Sequence, residues 1–154
     1  MPAGLRTTLP TGLVDDRGRA TEAWLRPITG ADELLVQEHA AAGIIRGEVA
    51  TLLLAACTTA IGARAPVDPD LADSLCVGDR EALLLQLRRL TFGDAIQAVL
   101  PCPVCGELLD LDLRAGALLL APNPGAAAVE TVRIEAEGAA WRVTLRRVTG
   151  ADQH

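Results

Sequence analysis

The residues whose types and spacing point most directly to chemistry are Cys102 and Cys105. Pro103 and Val104 lie between them and Gly106 follows directly. Two thiolates at that spacing can grip one metal ion from a tight turn, and zinc is the ion that such turns hold in structural sites. Structural zinc takes four ligands in a tetrahedron, so Cys102 and Cys105 make half a site. The other cysteines, Cys57 and Cys76, are isolated in the chain. Three completions are open. Cys57 or Cys76 folds back to the turn, two chains share one ion, or the missing ligands lie beyond residue 154.

A redox pair is the competing chemistry, and it places its first cysteine at the N-terminus of a helix, where the thiol pKa falls. Here Cys105 is followed by Gly106 and then by Leu109, Leu111 and Leu113 alternating with Asp110 and Asp112, which is the period of a strand. That context favours a metal knuckle. Neither histidine helps complete it: His39 falls near the end of a predicted helix, where a capping or solvated role suits it, and His154 is the last residue. Calcium-loop spacing, a phosphate-cradling glycine loop and a nucleophile elbow are all missing from the sequence, so the chain is expected not to be an enzyme.

The elements that must hold the turn follow from periodicity. Residues 1–20 mix Gly, Pro, Thr and charge without a period and read as a flexible arm, leaving 21–154 as a single α+β domain. Residues 21–28 read as a short strand. Thr29 offers a hydroxyl cap with Asp32 and Glu33 in the first turn, so a helix is predicted over 30–42. The most apolar stretch predicts a central helix over 48–61, with Cys57 a small buried hydrophobe inside it. Residues 63–77 read as a surface loop with a single turn near 70–75. A third helix is predicted over 80–90, capped by Gly78 or Asp79, with Leu83, Leu84, Leu87 and Leu90 inward and Arg80, Gln86, Arg88 and Arg89 outward. The cysteine turn then sits in a β-hairpin, and two alternating segments over 129–135 and 140–148, joined at Glu137 and Gly138, predict a second hairpin. The fold class is α+β: a small core of three helices, a zinc-knuckle-type hairpin and a C-terminal hairpin.

Composition narrows the class of function. The net charge is −6 and every one of the fourteen basic residues is Arg, a balance that disfavours a nucleic-acid partner. Trp24, Phe92 and Trp141 are the only aromatics among 154 residues, few for a stacking platform or a binding hot spot. The longest apolar run is broken by Thr51, Thr58 and Thr59 and falls short of a membrane span, and the first twenty residues carry no export signal. A cytoplasmic chain is expected, with reduced thiols and no membrane partner.

An internal echo adds to this. Residues 25–32 read LRPITGAD and residues 145–152 read LRRVTGAD, six of eight positions identical. Each is a strand delivered into a Thr-Gly-Ala-Asp helix start, and the second copy reads as a truncated repeat.

With LRPITGADELL, the segment AACTTAIG, VGDREALLLQLRRLTFG and CPVCGELLDLDL in that order, most of residues 25–113 resembles a family of baseplate proteins from contractile phage tails and related contractile injection systems. The block VGDREALLLQLRRLTFG carries most of the specificity. The resemblance implies a non-enzymatic structural or assembly subunit of a baseplate, cytoplasmic or built into the particle, whose partners are other baseplate or tail proteins and copies of itself. It also implies a longer chain with a further Cys pair, whereas this sequence stops at His154. Cys76 stands where the family pattern has a small polar residue, so only Cys102 and Cys105 are carried forward as zinc ligands. The alternative function is a free-standing zinc-ribbon adaptor for a regulatory protein, and a third is a thiol redox protein.

Overall fold

A computed structural model describes residues 4–43, 46–123, 125, 127–136 and 138–153. Residues 1–3 of the expected arm, Pro124, the turn residue Glu137 and the terminal His154 lie outside the described residues.

The chain opens with a β-hairpin, β1 (Leu5–Asp15) and β2 (Gly18–Leu25), turned at Asp16 and Arg17. This corrects the expectation of a flexible arm over 1–20. Leu9 and Leu13 are buried in the core, and so is Leu25 at the end of β2. The pairing register slips between Thr8 and Leu13. Pro10 and Gly12, which read as breakers in the sequence, occupy that bulge, where a missing N–H and a positive φ of 82° are tolerated. The bulge matters later, because it turns the Thr11 backbone away from β2.

Thr29 then caps α1 (Gly30–Ala41) as expected, with Asp32 reaching back to the Thr29 backbone in a capping box. His39 Nδ1 lies 2.7 Å from the Leu35 carbonyl, one turn back on the same helix. Helix α2 (Arg46–Cys57) runs directly into strand β3 (Thr58–Ile61), which pairs antiparallel with β2 and completes a β1-β2-β3 sheet. The single helix expected over 48–61 is thereby corrected at its end. Thr58, Thr59 and Ile61 are β-branched, and the last four residues gain more from pairing with Ala23, Trp24 and Leu25 than from another helical turn.

Asp68 caps the short α3 (Pro69–Ser74), its side chain accepting the Leu71 N–H at 2.8 Å. Helix α4 (Val77–Phe92) is longer than the expected 80–90 and starts at a Cys76 cap rather than at Gly78 or Asp79. Leu83 and Leu87 of α4 meet Leu54 and Cys57 of α2 and Leu9, Leu13 and Leu25 of the sheet in one core. Among the described residues four α-helices therefore stand where three were expected, the α3 turn having grown into a helix.

Two further hairpins follow, β4 (Ala95–Pro101) with β5 (Leu108–Arg114), and β6 (Val129–Ala136) with β7 (Ala139–Arg146). Each is a separate two-stranded antiparallel sheet. Strand β7 leads into a short 3-10 turn, Gly150–Gln153, at the second TGAD. Among the described residues no helix is long and apolar enough to cross a membrane.

The echo is a structural repeat as well as a sequence one. Arg26 donates to both oxygens of Asp32 at 2.7 and 2.8 Å, and Arg146 donates to both of Asp152 at 2.6 and 2.5 Å. Thr29 and Thr149 each add their backbone N–H and hydroxyl to the same aspartate oxygen. Local sequence builds this clamp, since the same Arg, Thr and Asp at the same spacing make it in two different surroundings. The surroundings then separate the two copies. Gly30 faces open space, whereas Gly150 packs so closely that a methyl group there would lie 2.6 Å from Arg80 Cζ.

Candidate metal centre

Strands β4 and β5 pair in unbroken register from Ala95 with Arg114 to Pro101 with Leu108, and so fix both ends of the cysteine turn. At its base the Cys102 N–H donates to the Glu107 carbonyl at 2.7 Å, and the Gly106 N–H donates to the Cys102 carbonyl at 2.9 Å. Gly106 closes the turn at φ 76°, a conformation that glycine adopts without steric cost. Inside the loop the backbone N–H groups of Cys105 and Val104 point at the Cys102 sulfur, and the Cys105 thiol joins them. These donors hold the Cys102 thiol below its ordinary pKa. Amides aimed at a sulfur favour the thiolate, the form that ligates metal. Cys105 is exposed, with Glu107 Oε2 3.8 Å from its sulfur.

This turn fits a soft divalent cation. It presents two sulfurs within a five-residue loop, with two backbone N–H groups aimed at one of them. Bound zinc would supply a tetrahedral crosslink there, with Cys102 and Cys105 as two of its four ligands.

The structure does not bring the other cysteines to the turn. Cys57 is buried at the end of α2 in the core, where burial first and the neighbouring Asp32 second push its thiol up to about 11. Cys76 caps α4, its sulfur 3.0 Å from Thr11 Oγ1 and 3.3 Å from Asp79 Oδ2. Completion of the site by Cys57 or Cys76 is therefore not the arrangement seen. Among the described residues no group of three or more His, Cys, Asp or Glu side chains converges to hold an ion.

The thiols should separate in reactivity. Brief alkylation with iodoacetamide at pH 7 is expected to label Cys102 and Cys105 in the native protein and leave Cys57 unmodified until urea is added, as read by peptide mass spectrometry. Equal labelling of Cys57 under native conditions would contradict its place in the core.

Sequence reasoning missed the most densely bonded polar centre of the molecule. Arg80, expected to face outward, is 1% exposed. Its guanidinium donates to the Ala72 and Gly47 carbonyls, Thr51 Oγ1, Asp73 Oδ1 and Gln153 Oε1. Burial lowers its pKa, and Asp73 works against that shift. Next to it Asp79 is fully buried and accepts the Thr11 N–H at 2.8 Å and the Thr11 hydroxyl at 2.7 Å, the groups that the β1 bulge turned inward. The second TGAD unit docks on this centre through Gly150 N–H to the Leu75 carbonyl and Val77 N–H to the Val148 carbonyl. The signal available in the sequence was the echo itself: a second clamp has to dock somewhere, and a close glycine approach marks where.

Compared with known proteins, the chain matches no family model, no curated protein and no solved structure at a significant level.

Proposed function

We propose that this chain is a non-enzymatic structural or assembly subunit of the baseplate of a contractile, phage-tail-like injection particle, acting through contacts with other baseplate or tail proteins. The observation that carries the reading is the pair of hairpins. Each turns one apolar face outward, and among the described residues Leu100, Leu109, Ile134, Trp141 and Leu145 are all exposed. Apolar faces of that extent mark surfaces that other proteins cover. A two-stranded hairpin is marginal alone in water, so these two are built to be completed by something else. The quoted blocks over residues 25–113 supply the identity of the partner class.

The test is genetic and visual. In a cell that makes contractile particles and encodes this chain, its deletion should leave tubes and sheaths without baseplates under the electron microscope. Intact particles in normal number would overturn the reading.

The adaptor reading keeps one observation in its favour, the preformed Cys102 turn. There zinc would be the functional centre, and the Cys102→Ser variant would lose its partner. In the baseplate reading zinc pins one hairpin, and the same variant would lose stability at the hairpin tip first.

A further inference from the structure

The two hairpins share one plan and carry opposite charge. In β4–β5 the register places Ile96, Ala98, Leu100, Leu109, Leu111 and Leu113 on one face. In β6–β7 it places Val132, Ile134, Trp141, Val143 and Leu145 on one face. Most of the charge sits on the reverse of each, apart from Glu130, which pairs with Leu145 on the apolar face of the second hairpin; Arg114 ends β5 on the side of its aspartates. On β5, Asp110 and Asp112 point the same way, opposite the neutral Val99 and Gln97, and the Gln97 amide is the one partner seen, 3.2 Å from Asp112. On the second hairpin Arg133 and Arg142 stand directly opposite one another, a like-charge pair that weakens a two-stranded sheet. Arg133 has Glu135 at 3.7 Å, while Arg142 has no ion-pair partner among the described residues.

We propose that β5 of one copy pairs edge to edge, antiparallel, with β7 of a second copy, giving a four-stranded β4-β5-β7-β6 sheet. Placing Leu111 opposite Val143 of the second copy sets Leu109 against Leu145 and Leu113 against Trp141, so the two aliphatic faces become one. The same register sets Asp112 directly opposite Arg142, with Asp110 diagonal to it and within reach of its long side chain. A slip of one residue would set the leucines of β5 against the polar and charged face of β7, so the pattern fixes which faces align. Charge selects the partner strand as well, because β5 against β5 sets acid on acid and β7 against β7 offers Arg142 no acid. Within one chain the two hairpins are separate sheets, which leaves the pairing to a second copy. Exchanged reciprocally, it closes a two-fold dimer. The pairing involves this chain alone and does not rest on the baseplate reading.

The experiment is charge reversal with rescue, read by sedimentation of the full chain under reducing conditions with EDTA present, so that no metal bridges the copies. Wild type at about 100 μM, well above the Kd of an ordinary protein contact, is expected at twice the monomer mass. Asp112→Arg and Arg142→Asp should each weaken association by at least ~10-fold, and an equimolar mixture of the two should regain the dimer, because each chain then meets its opposite charge. Far-UV circular dichroism verifies each fold, and Asp110→Arg replaces Asp112→Arg if the latter loses its spectrum. A monomeric wild type, single reversals that leave the dimer intact, or a mixture that stays monomeric would each overturn the proposal.

Discussion

Replacing Arg80 with Met is expected to cost about 3–5 kcal/mol of folding stability, the cost of removing one partner from a buried ionic network. The reason is the completeness of its bonding. A guanidinium has five N–H groups in a fixed plane, and here five acceptors receive them: Nε meets Gln153 at 3.1 Å, Nη1 meets Ala72 at 2.9 Å and Asp73 at 3.1 Å, and Nη2 meets Gly47 at 3.1 Å and Thr51 at 2.8 Å. Those acceptors come from α2, α3 and the C-terminal 3-10 turn, so one side chain joins three elements to α4. Methionine fills much of the volume but removes the guanidinium donors from the Ala72 carbonyl and the Asp73 carboxylate, at about 1–3 kcal/mol for each group left unsatisfied, while Gly47 keeps the Thr51 hydroxyl. Lysine keeps the charge on a single nitrogen and cannot span the five positions, so Arg80→Lys should also destabilise, by a smaller amount. Urea unfolding at pH 7 measures both. The glycines of the repeat give a control from the opposite side: Gly150→Ala should destabilise by driving a methyl into Arg80 and Asp73, while Gly30→Ala, in open space, should not. A loss below about 1 kcal/mol for Arg80→Met would show that the hub is solvated rather than structural.

How much of this was readable in advance depended on the range of the forces involved. The β4–β5 hairpin was legible because Leu109, Leu111 and Leu113 alternate with aspartates, and a local period of two is sufficient to define a strand, although the half-burial expected of it is not met, only Leu111 of the three being partly covered. The start of α1 was legible because Thr29 and Asp32 make their cap within four residues. Strand β3 was not, because Thr58–Ile61 owes its form to β2, more than thirty residues earlier, and apolar residues lie on both of its faces. Strand β1 was hidden by the bulge at Pro10 and Gly12, which breaks the alternation at the point where Thr11 turns to Asp79. Arg80 was misplaced for a related reason. A charged residue near the start of a helix defaults to solvent, and Arg80 is enclosed by groups distant in sequence, Gly47 and Thr51 of α2 and Gln153 and Gly150 from the far end of the chain. For the metal centre, the turn and its two thiols were legible from spacing, whereas the amides that favour the Cys102 thiolate are a property of the folded loop.

Asp32→Asn should cost about 2–3 kcal/mol at pH 7, and that cost should disappear in acid. Asp32 is buried and accepts four bonds, two from Arg26 and two from Thr29, so it is both the cap of α1 and a bidentate ion pair. A cap contributes about 1 kcal/mol, and hydrogen bonds to a charged group about 1.5–3 kcal/mol, with overlap between them. Arg26 first, then Thr29, hold the Asp32 carboxyl far below the ordinary carboxylate range, against the opposing effect of burial. A pKa depressed in the folded state means that the unfolded chain takes up the proton first as pH falls. The stability from Asp32 is therefore fully present above about pH 5, and declines through the unfolded value near 4 towards the much lower folded one. Asparagine carries no such proton, so the wild-type and variant unfolding curves should converge between about pH 5 and 2. A gap that stays constant over that range would mean the cost comes from packing and not from the carboxylate. Asp152 tests the same chemistry in a wetter place. Arg146 and Thr149 lower its pKa through the same four bonds, but Arg146 is 62% exposed, and water screens the pair. Asp152→Asn should therefore show a weaker pH dependence of the same sign. The two clamps are equal in local geometry, so a difference between them would measure what burial adds to the first.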